Sequence, residues 1–404
     1  MKRKEIIILV LLAALNFTHI LDFMIMMPLG NYLMPFFNIS TRQFSFLVAA
    51  YTVSAATSGF LAAFYVDGFD RKRVLLFGYT GFLLGTIACG FAPSYHWLLV
   101  FRLLAGLFGG LIGAQVLAMV SDLFGYERRA RAMGAIMSAF AVASTFGVPF
   151  ALYLANAISW HAPFLFVGFL GIVIIPLIHL YIPAMDEHVQ EQEAGFQAKW
   201  MILKKVLSTP MERRALLFSG LVMVGHFMII PFINPFMEFN NGYSRSVTPM
   251  IYLVGGVASF ASATILGWIA DRYGKLKVFM VSVFLSLFMV YAITHLNGIH
   301  FSIVLVLFAL WFVLSTGRAV TAQAMISNIV PPQERGSFMS FNSAIQQLGT
   351  SMAALIAGAI VQKGMDGKLI HYDWLGFLSI GVLVTASVLA ASIFKWNDGA
   401  EKSR

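Results

Sequence analysis

Apolar residues run along this chain in long unbroken stretches, and the breaks between the stretches carry the charges, prolines and asparagines. Reading the runs between breaks predicts spans near 6–30, 44–66, 74–92, 97–121, 132–156, 162–183, 214–237, 247–269, 278–296, 301–327, 338–361 and 374–394. Each run is about 18 to 25 residues, roughly twice the length a membrane β-strand needs, so the spans are expected to be helices crossing a bilayer. The first run follows the basic start Met-Lys-Arg-Lys. It is too long for a signal-peptide core and lacks a small-x-small cleavage pattern, so it reads as a retained helix.

Composition agrees with the pattern. Of 404 residues 59% are hydrophobic and 11% charged, against roughly a quarter charged in an ordinary soluble domain. The mean hydropathy is +0.81. The fold class expected is an all-α membrane protein with the lipid bilayer as its surroundings and no soluble domain. Placing the amino terminus inside puts 2–4, 71–73, 128–131, 199–214, 272–277, Arg335 and the carboxyl tail on the cytoplasmic side. These segments hold 21 of the 27 basic residues, and only Arg42, Arg245, Lys363 and Lys368 fall outside. With an even number of spans, both termini are expected to be cytoplasmic. The net charge of +9 is therefore a sign of topology, and no nucleic-acid partner is inferred from it. A lone Cys89 in an apolar span rules out a disulfide scaffold or a thiolate metal site, and no metal or cofactor is expected.

The chain reads as two halves. The longest polar loop, 184–213, divides six spans (1–183) from six (214–404). Within it Phe196, Trp200, Leu203 and Leu207 recur at helical spacing beside Lys199, Lys204 and Lys205, the pattern of an amphipathic helix in a membrane interface or of a simple tether. After helix 2 the chain reads AFYVDGFDRKRV, and after helix 8 GWIADRYGKLKV, so Asp67 matches Asp271 and Arg71 matches Lys275 at an offset of 204 residues. After helix 4, Glu127-Arg128 matches Glu334-Arg335 at nearly the same offset. Two such matches predict two pseudo-symmetric six-helix bundles.

The motif after helix 2 resembles the G-x-x-x-D-x-x-G-R-K/R signature of the major facilitator superfamily. The second copy fits it well at Gly267, Asp271, Gly274 and Lys275, whereas the first carries Ala63 and Asp70 where glycines are usual. Within that superfamily, Asp22, Met24, Ile25 and Pro28 in helix 1, with Arg102, Gly106 and Gly110 in helix 4, look like the twelve-span drug:proton antiporter branch. The helix-5 signature of the branch, ending G-P-x-x-G-G, is present only as Gly147-Val148-Pro149-Phe150-Ala151. The resemblance implies a monomeric transporter of the bacterial inner membrane. It would exchange protons for a small organic or amphipathic substrate by alternating access, with the substrate bound near the midplane. A proton-linked importer or facilitator of a sugar, organic acid or lipid-like solute is the alternative.

The chemistry centres on Asp22, the single acidic residue deep in a span. On insertion scales a charge at a helix centre costs roughly 2.5–3.5 kcal/mol, so it needs a counter-charge, a proton or water. Helix 1 rises from the cytoplasm and helix 4 descends from outside, which puts Asp22 and Arg102 at similar depth and able to pair. A pair that parts in one conformation would couple proton uptake to the motion; a permanent pair would only fix helix register.

The resemblance also implies that helices 1, 4, 7, 10 and 11 line the substrate path. They carry Asn16, His19, Gln115, His226, Asn234, Arg318, Gln323, Asn342, Gln346 and Gln347. Each Asn or Gln serves a helix–helix hydrogen bond as readily as a substrate. Arg318, a cation with no acidic neighbour in sequence, suits an anionic or polar-headed substrate. By the same resemblance Asp67, Arg71, Asp271 and Lys275, joined by Glu127, Arg128, Glu334 and Arg335, form a cytoplasmic conformational lock; the plain alternative is a solvated loop. Ala55, Gly59 and Ala63, and Gly134 with Ser138, are small-residue stripes expected to let helices approach closely. An enzyme is not expected: there is no phosphate-binding glycine loop, no H-E-x-x-H and no clustered acid pair in a span. Neither a filter-like segment nor an acidic ring points to a channel.

Overall fold

The computed structural model describes residues 3–124, 126–185, 196–330 and 335–394, with backbone alone for Ala63, Asp67, 126–131, 196–199, 202–203 and 335–337. Among these residues it is almost entirely helical, and twelve spans are long and apolar enough to cross a membrane. They coincide with the runs expected from the sequence. Large apolar side chains such as Phe77, Phe169, Leu180 and Phe284 are exposed, as residues facing acyl chains should be.

The chain divides into two compact units: 1–29 with 50–204, and 30–49 with 205–404. The first holds α1 (Arg3–Met26), most of α3 (Thr41–Tyr65), α4 (Arg71–Gly90), α5 (Tyr95–Leu123), α6 (Tyr126–Val142), α7 (Val148–Ala157), α8 (Ala162–Tyr181) and all but the last turn of α9 (Phe196–Ser208). Its core is built from Leu12, Leu15, Tyr51, Tyr79, Phe82, Ile112 and Val116. The second holds α2 (Gly30–Phe37), the first turns of α3, α10 (Pro210–Phe227), α11 (Ile233–Phe239), α12 (Pro249–Tyr273), α13 (Lys275–Thr294), α14 (Phe301–Ser327), α15 (Arg335–Ile360) and α16 (Tyr372–Ile393). A two-residue hairpin pairs Gln362 with Ile370 in this unit, and Thr41 Oγ1 donates to the Val361 carbonyl at 2.5 Å beside it.

Among the described residues three spans are interrupted, each at a proline. The first stops at Met26 and restarts at Gly30, around Pro28. The fifth contains a π turn over Ala143–Gly147, where the Val148 N–H reaches back five residues to the Ala143 carbonyl. Pro149, which has no N–H to give, follows at once. The seventh breaks between Phe227 and Ile233, around Pro231. In hydrocarbon the carbonyls near such a break need partners. Ser379 Oγ donates to Gly225 O at 2.6 Å and Tyr372 Oη to Ile229 O at 3.0 Å, so α16 supplies them.

The two copies of the loop motif solve the same turn differently. Gly274, between α12 and α13, has φ +100°, a conformation a side chain resists. At the corresponding place Asp70 has φ −53°, and its Oδ1 accepts from the N–H groups of Lys72 (2.7 Å) and Arg73 (3.3 Å), capping α4. The first copy lacks the glycine because its turn does not need one.

Candidate functional site

In the first unit α1 carries Thr18 and Asp22 one turn apart. Thr18 Oγ1 lies 2.8 Å from Tyr79 Oη on α4. Asp22 receives a hydrogen bond from Arg102 Nη1 on α5 at 2.7 Å, and both side chains have zero exposure. The guanidinium also lies over the Tyr51 ring, 4.5 Å from its centroid, a favourable contact for a cation on an aromatic face. Thr86 and Cys89, three residues apart on α4, border the pair. The result is a dry ion pair in which each charge is the other's replacement for water.

Glycines set the approach that makes this pair. A Cβ on Gly106 would strike the backbone and side chain of α3 at Tyr51 and Ser54, and one on Gly110 would strike Ala55 and Ser58. A Cβ on Gly109 would meet Tyr51 Oη at 2.6 Å and His19 Nε2 at 3.2 Å. The Arg-x-x-x-Gly-x-x-x-Gly run is thus a packing groove that seats α5 on α3 and delivers Arg102 to Tyr51 and Asp22. Gly147, in the π turn, meets Leu21, the neighbour of Asp22, in the same close manner at 2.8 Å. Ala55 and Gly59 lie on this contact as expected. Gly134 does not: a Cβ there would find nothing within 4 Å, which corrects the expectation of a tight helix contact at that residue.

In the second unit His226 of α10 meets Arg318 of α14, with Nδ1 3.4 Å from Arg318 Nη2. The same Nη2 donates to Ser315 Oγ at 2.8 Å. His226 stacks on Trp311, with centroids 5.2 Å apart at 26°. Arg318 is 2% exposed, and its Nε and Nη1 are buried with no hydrogen-bond partner.

The other expected site residues are more scattered. Asn16 is buried and donates to the Ile136 carbonyl at 3.3 Å, a tie between α1 and α6. His19 packs edge-on against Phe82 at 5.5 Å. Gln115, Asn234 and Asn342 are buried. Gln346 Nε2 donates to Ser219 Oγ at 3.1 Å and approaches Gln323 Oε1 at 3.5 Å, linking α15, α10 and α14.

Of the loop charges, Arg71 Nε pairs with Asp122 Oδ2 at 2.6 Å and Lys275 Nζ with Asp271 Oδ1 at 3.5 Å. The side chains of Asp67, Glu127, Arg128 and Arg335, and the whole of Glu334, lie outside the described residues.

The sequence reading missed three acids. Asp122 stands just after the fourth apolar run, but nothing in the spacing marks it as the partner of Arg71. Glu212 is buried at 6% in the first turn of α10, which begins before the apolar run does. Glu238 accepts from Asn31 Nδ2 at 2.6 Å and from Arg245 Nε at 2.7 Å, and Arg245 Nη2 donates to the Asn31 carbonyl at 3.2 Å. A lone arginine and a lone glutamate in one outer loop were the available signal.

The sequence profile of the Major Facilitator Superfamily matches residues 12–225 and 215–404, covering nearly the whole chain in two segments. The chain is 23% identical to the uncharacterized MFS-type transporter YceJ of Bacillus subtilis (strain 168), over 85% of this chain and 86% of that protein. It is 22% identical to a probable sugar efflux transporter of Mannheimia succiniciproducens, over 81% and 77% respectively. Among solved structures, a bacterial homolog of the human lysosomal transporter Spinster, inward-facing and occupied, superposes with a TM-score of 0.77 over 98% of each chain, at 15% identity. These proteins are transporters and not enzymes. The chain belongs to the Major Facilitator Superfamily and is a multi-pass membrane transporter of small molecules.

Proposed function

We propose that the protein is a proton-coupled antiporter of the drug:proton branch, exporting small organic or amphipathic molecules by alternating access. It works as a monomer in the bacterial inner membrane with both termini cytoplasmic, and its moving parts are the bundles 1–183 and 214–404 joined by the linker 184–213. The observation that carries this reading is the 2.7 Å contact between Arg102 Nη1 and Asp22 Oδ2, both fully buried. In a dry site a carboxylate stays charged only beside a counter-charge. In the arrangement described here Arg102 supplies it; in a conformation where the two part, a proton is the replacement. Proton uptake and release then follow the conformational change. The membrane potential contributes about 2.3 kcal/mol per charge per 100 mV, enough to bias such an exchange.

Export is supported by the helix-1 run Asp22 to Pro28 and by the efflux function named for the Mannheimia relative. Asn16, His19, Gln115, His226, Asn234, Arg318, Gln323, Asn342 and Gln346 are the polar side chains offered to the substrate. Asp67, Arg71, Asp271, Lys275, Glu127, Arg128, Glu334 and Arg335 are the cytoplasmic lock.

The test is reconstitution into liposomes with an imposed pH gradient and a panel of lipophilic cations, sugars and organic anions. Asp22→Asn is expected to abolish gradient-driven accumulation while leaving expression and folding intact. Full concentrative transport by that variant would overturn the coupling.

A further inference from the structure

His226 stands 204 residues after Asp22, the offset that relates the two loop motifs. Both residues project from a span that breaks at a proline just beyond them, Pro28 in one half and Pro231 in the other. Both meet an arginine, from α5 and α14 respectively. The halves differ in one respect that decides their chemistry. In the first unit the arginine finds a carboxylate; in the second it finds an imidazole.

Arg318 is held where it is by the rest of α14. Thr316 Oγ1 lies 2.7 Å from Ser259 Oγ of α12, and a Cβ on Gly317 would meet Ser282 Oγ of α13 at 2.6 Å. Those contacts fix the rotation of the helix, so Trp311, Ser315 and Arg318, at i, i+4 and i+7, share the face toward α10. An arginine only donates hydrogen bonds, so His226 Nδ1 accepts and the ring proton sits on Nε2. Ser315 Oγ takes one further N–H. Arg318 Nε, Arg318 Nη1 and Trp311 Nε1 are then buried donors with no acceptor.

Among the described residues no carboxylate comes within ion-pair distance of Arg318. Glu238 is engaged by Arg245 and Asp271 by Lys275. Glu212 lies 14 residues before His226 on the same helix, about 21 Å along its axis. A buried cation left uncompensated is strongly unfavourable, and a row of donors without acceptors suits a ligand that only accepts.

We propose that Arg318, with Ser315, His226 and Trp311, is the head-group site for an organic monoanion, a carboxylate, so that the transported molecule is an acid in its ionised form. The planar guanidinium offers two parallel N–H groups to a carboxylate. One unpaired cation balances a single negative charge, whereas a phosphate dianion would leave excess charge in a low-dielectric site. The inference rests on the transporter reading for the existence of a substrate, and not on its proton coupling or direction.

The experiment is equilibrium binding of radiolabelled benzoate to the purified full-length protein in detergent, with no pH gradient, so that its failure is distinct from a failure of coupling in liposomes. Octanoate and phenyl phosphate are competing anions; benzamide and benzylamine are the neutral and cationic counterparts. Saturable benzoate binding is expected, displaced by octanoate, displaced more weakly by phenyl phosphate, and unaffected by hundredfold benzamide or benzylamine. Arg318→Gln should lower benzoate affinity at least tenfold, and Arg318→Lys, which keeps the charge but not the fork, should fall between. Should Arg318→Gln fail to fold, Ser315→Ala, expected to lower affinity severalfold, and the benzoate-over-benzamide preference of the unaltered protein decide the matter. No saturable binding of any anion in the panel, equal competition by benzamide, or undiminished affinity in a folded Arg318→Gln protein would overturn the site.

Discussion

Arg102 lies over the ring of Tyr51, 4.5 Å from its centroid, and the glycine one turn further along α5 packs against the backbone of that same tyrosine. One residue of α3 therefore both cushions the cation and sets the distance at which α5 can lie. The ion pair with Asp22 follows from that contact.

Breaking one side of a dry pair leaves the other charge stranded. Arg102→Met is expected to destabilise the protein by ~3–5 kcal/mol, and Asp22→Leu by a similar amount, whereas the double variant should recover most of the loss because two apolar residues can pack where two charges stood. Thermal unfolding in micelles reads this directly. A double variant as unstable as the sum of the singles would show that the two charges do not compensate each other.

The glycine groove makes a sharper packing prediction. Gly106→Ala drives a methyl into the backbone of α3 and is expected to destabilise by ~1–3 kcal/mol. Gly113→Ala, seven residues on and with nothing within 4 Å of the added methyl, should be neutral or slightly stabilising. Equal melting temperatures for the two variants would mean that α5 does not rest on α3 through Gly106.

The two loop turns should differ in how well they tolerate glycine and alanine. Gly274→Ala places a side chain at φ +100° and is expected to cost ~1–2 kcal/mol. Asp70→Ala removes the cap of α4 and should cost ~0.5–2 kcal/mol, but Asp70→Gly only a few tenths. Unfolding of the three variants side by side provides the check, and a Gly274→Ala protein as stable as the parent would contradict the strained turn.

Glu238 holds Asn31 and Arg245 together at 2.6 and 2.7 Å. Glu238→Gln keeps the shape and removes the charge, and should destabilise by ~1–2 kcal/mol, less at high salt because Arg245 is 39% exposed. Arg245→Gln should be no more than additive with it only if the two residues act separately; non-additivity is the expected result.

Much of this molecule is legible along the chain because hydrocarbon is an unforgiving solvent. A run of about 20 apolar residues has one stable form in a bilayer, so the spans, their number and the repeat of the halves could be read directly. Asp22 stood out for the same reason: a carboxylate among Leu, Ile and Met violates the pattern, and violations mark chemistry. The interruptions at Pro28, Pro149 and Pro231 were visible only as residues; how each one is accommodated depends on neighbours such as Tyr372 and Ser379 that lie far along the chain.

What the sequence determined by itself was the solvent in which the protein lives, the number and order of its spans, and the identity of the few ionisable groups buried in them. The pairing of Asp22 with Arg102 was legible from their similar depth, but the other partners were decided only by the tertiary structure. Packing gives Arg102 the carboxylate expected for it, and gives Arg318 an imidazole and a hydroxyl that no spacing in the sequence pointed to. Hydropathy is a property of single residues summed along a helix, whereas pairing depends on which faces two distant helices turn to each other, and that is fixed by contacts such as Gly106 on Tyr51 and Gly317 on Ser282.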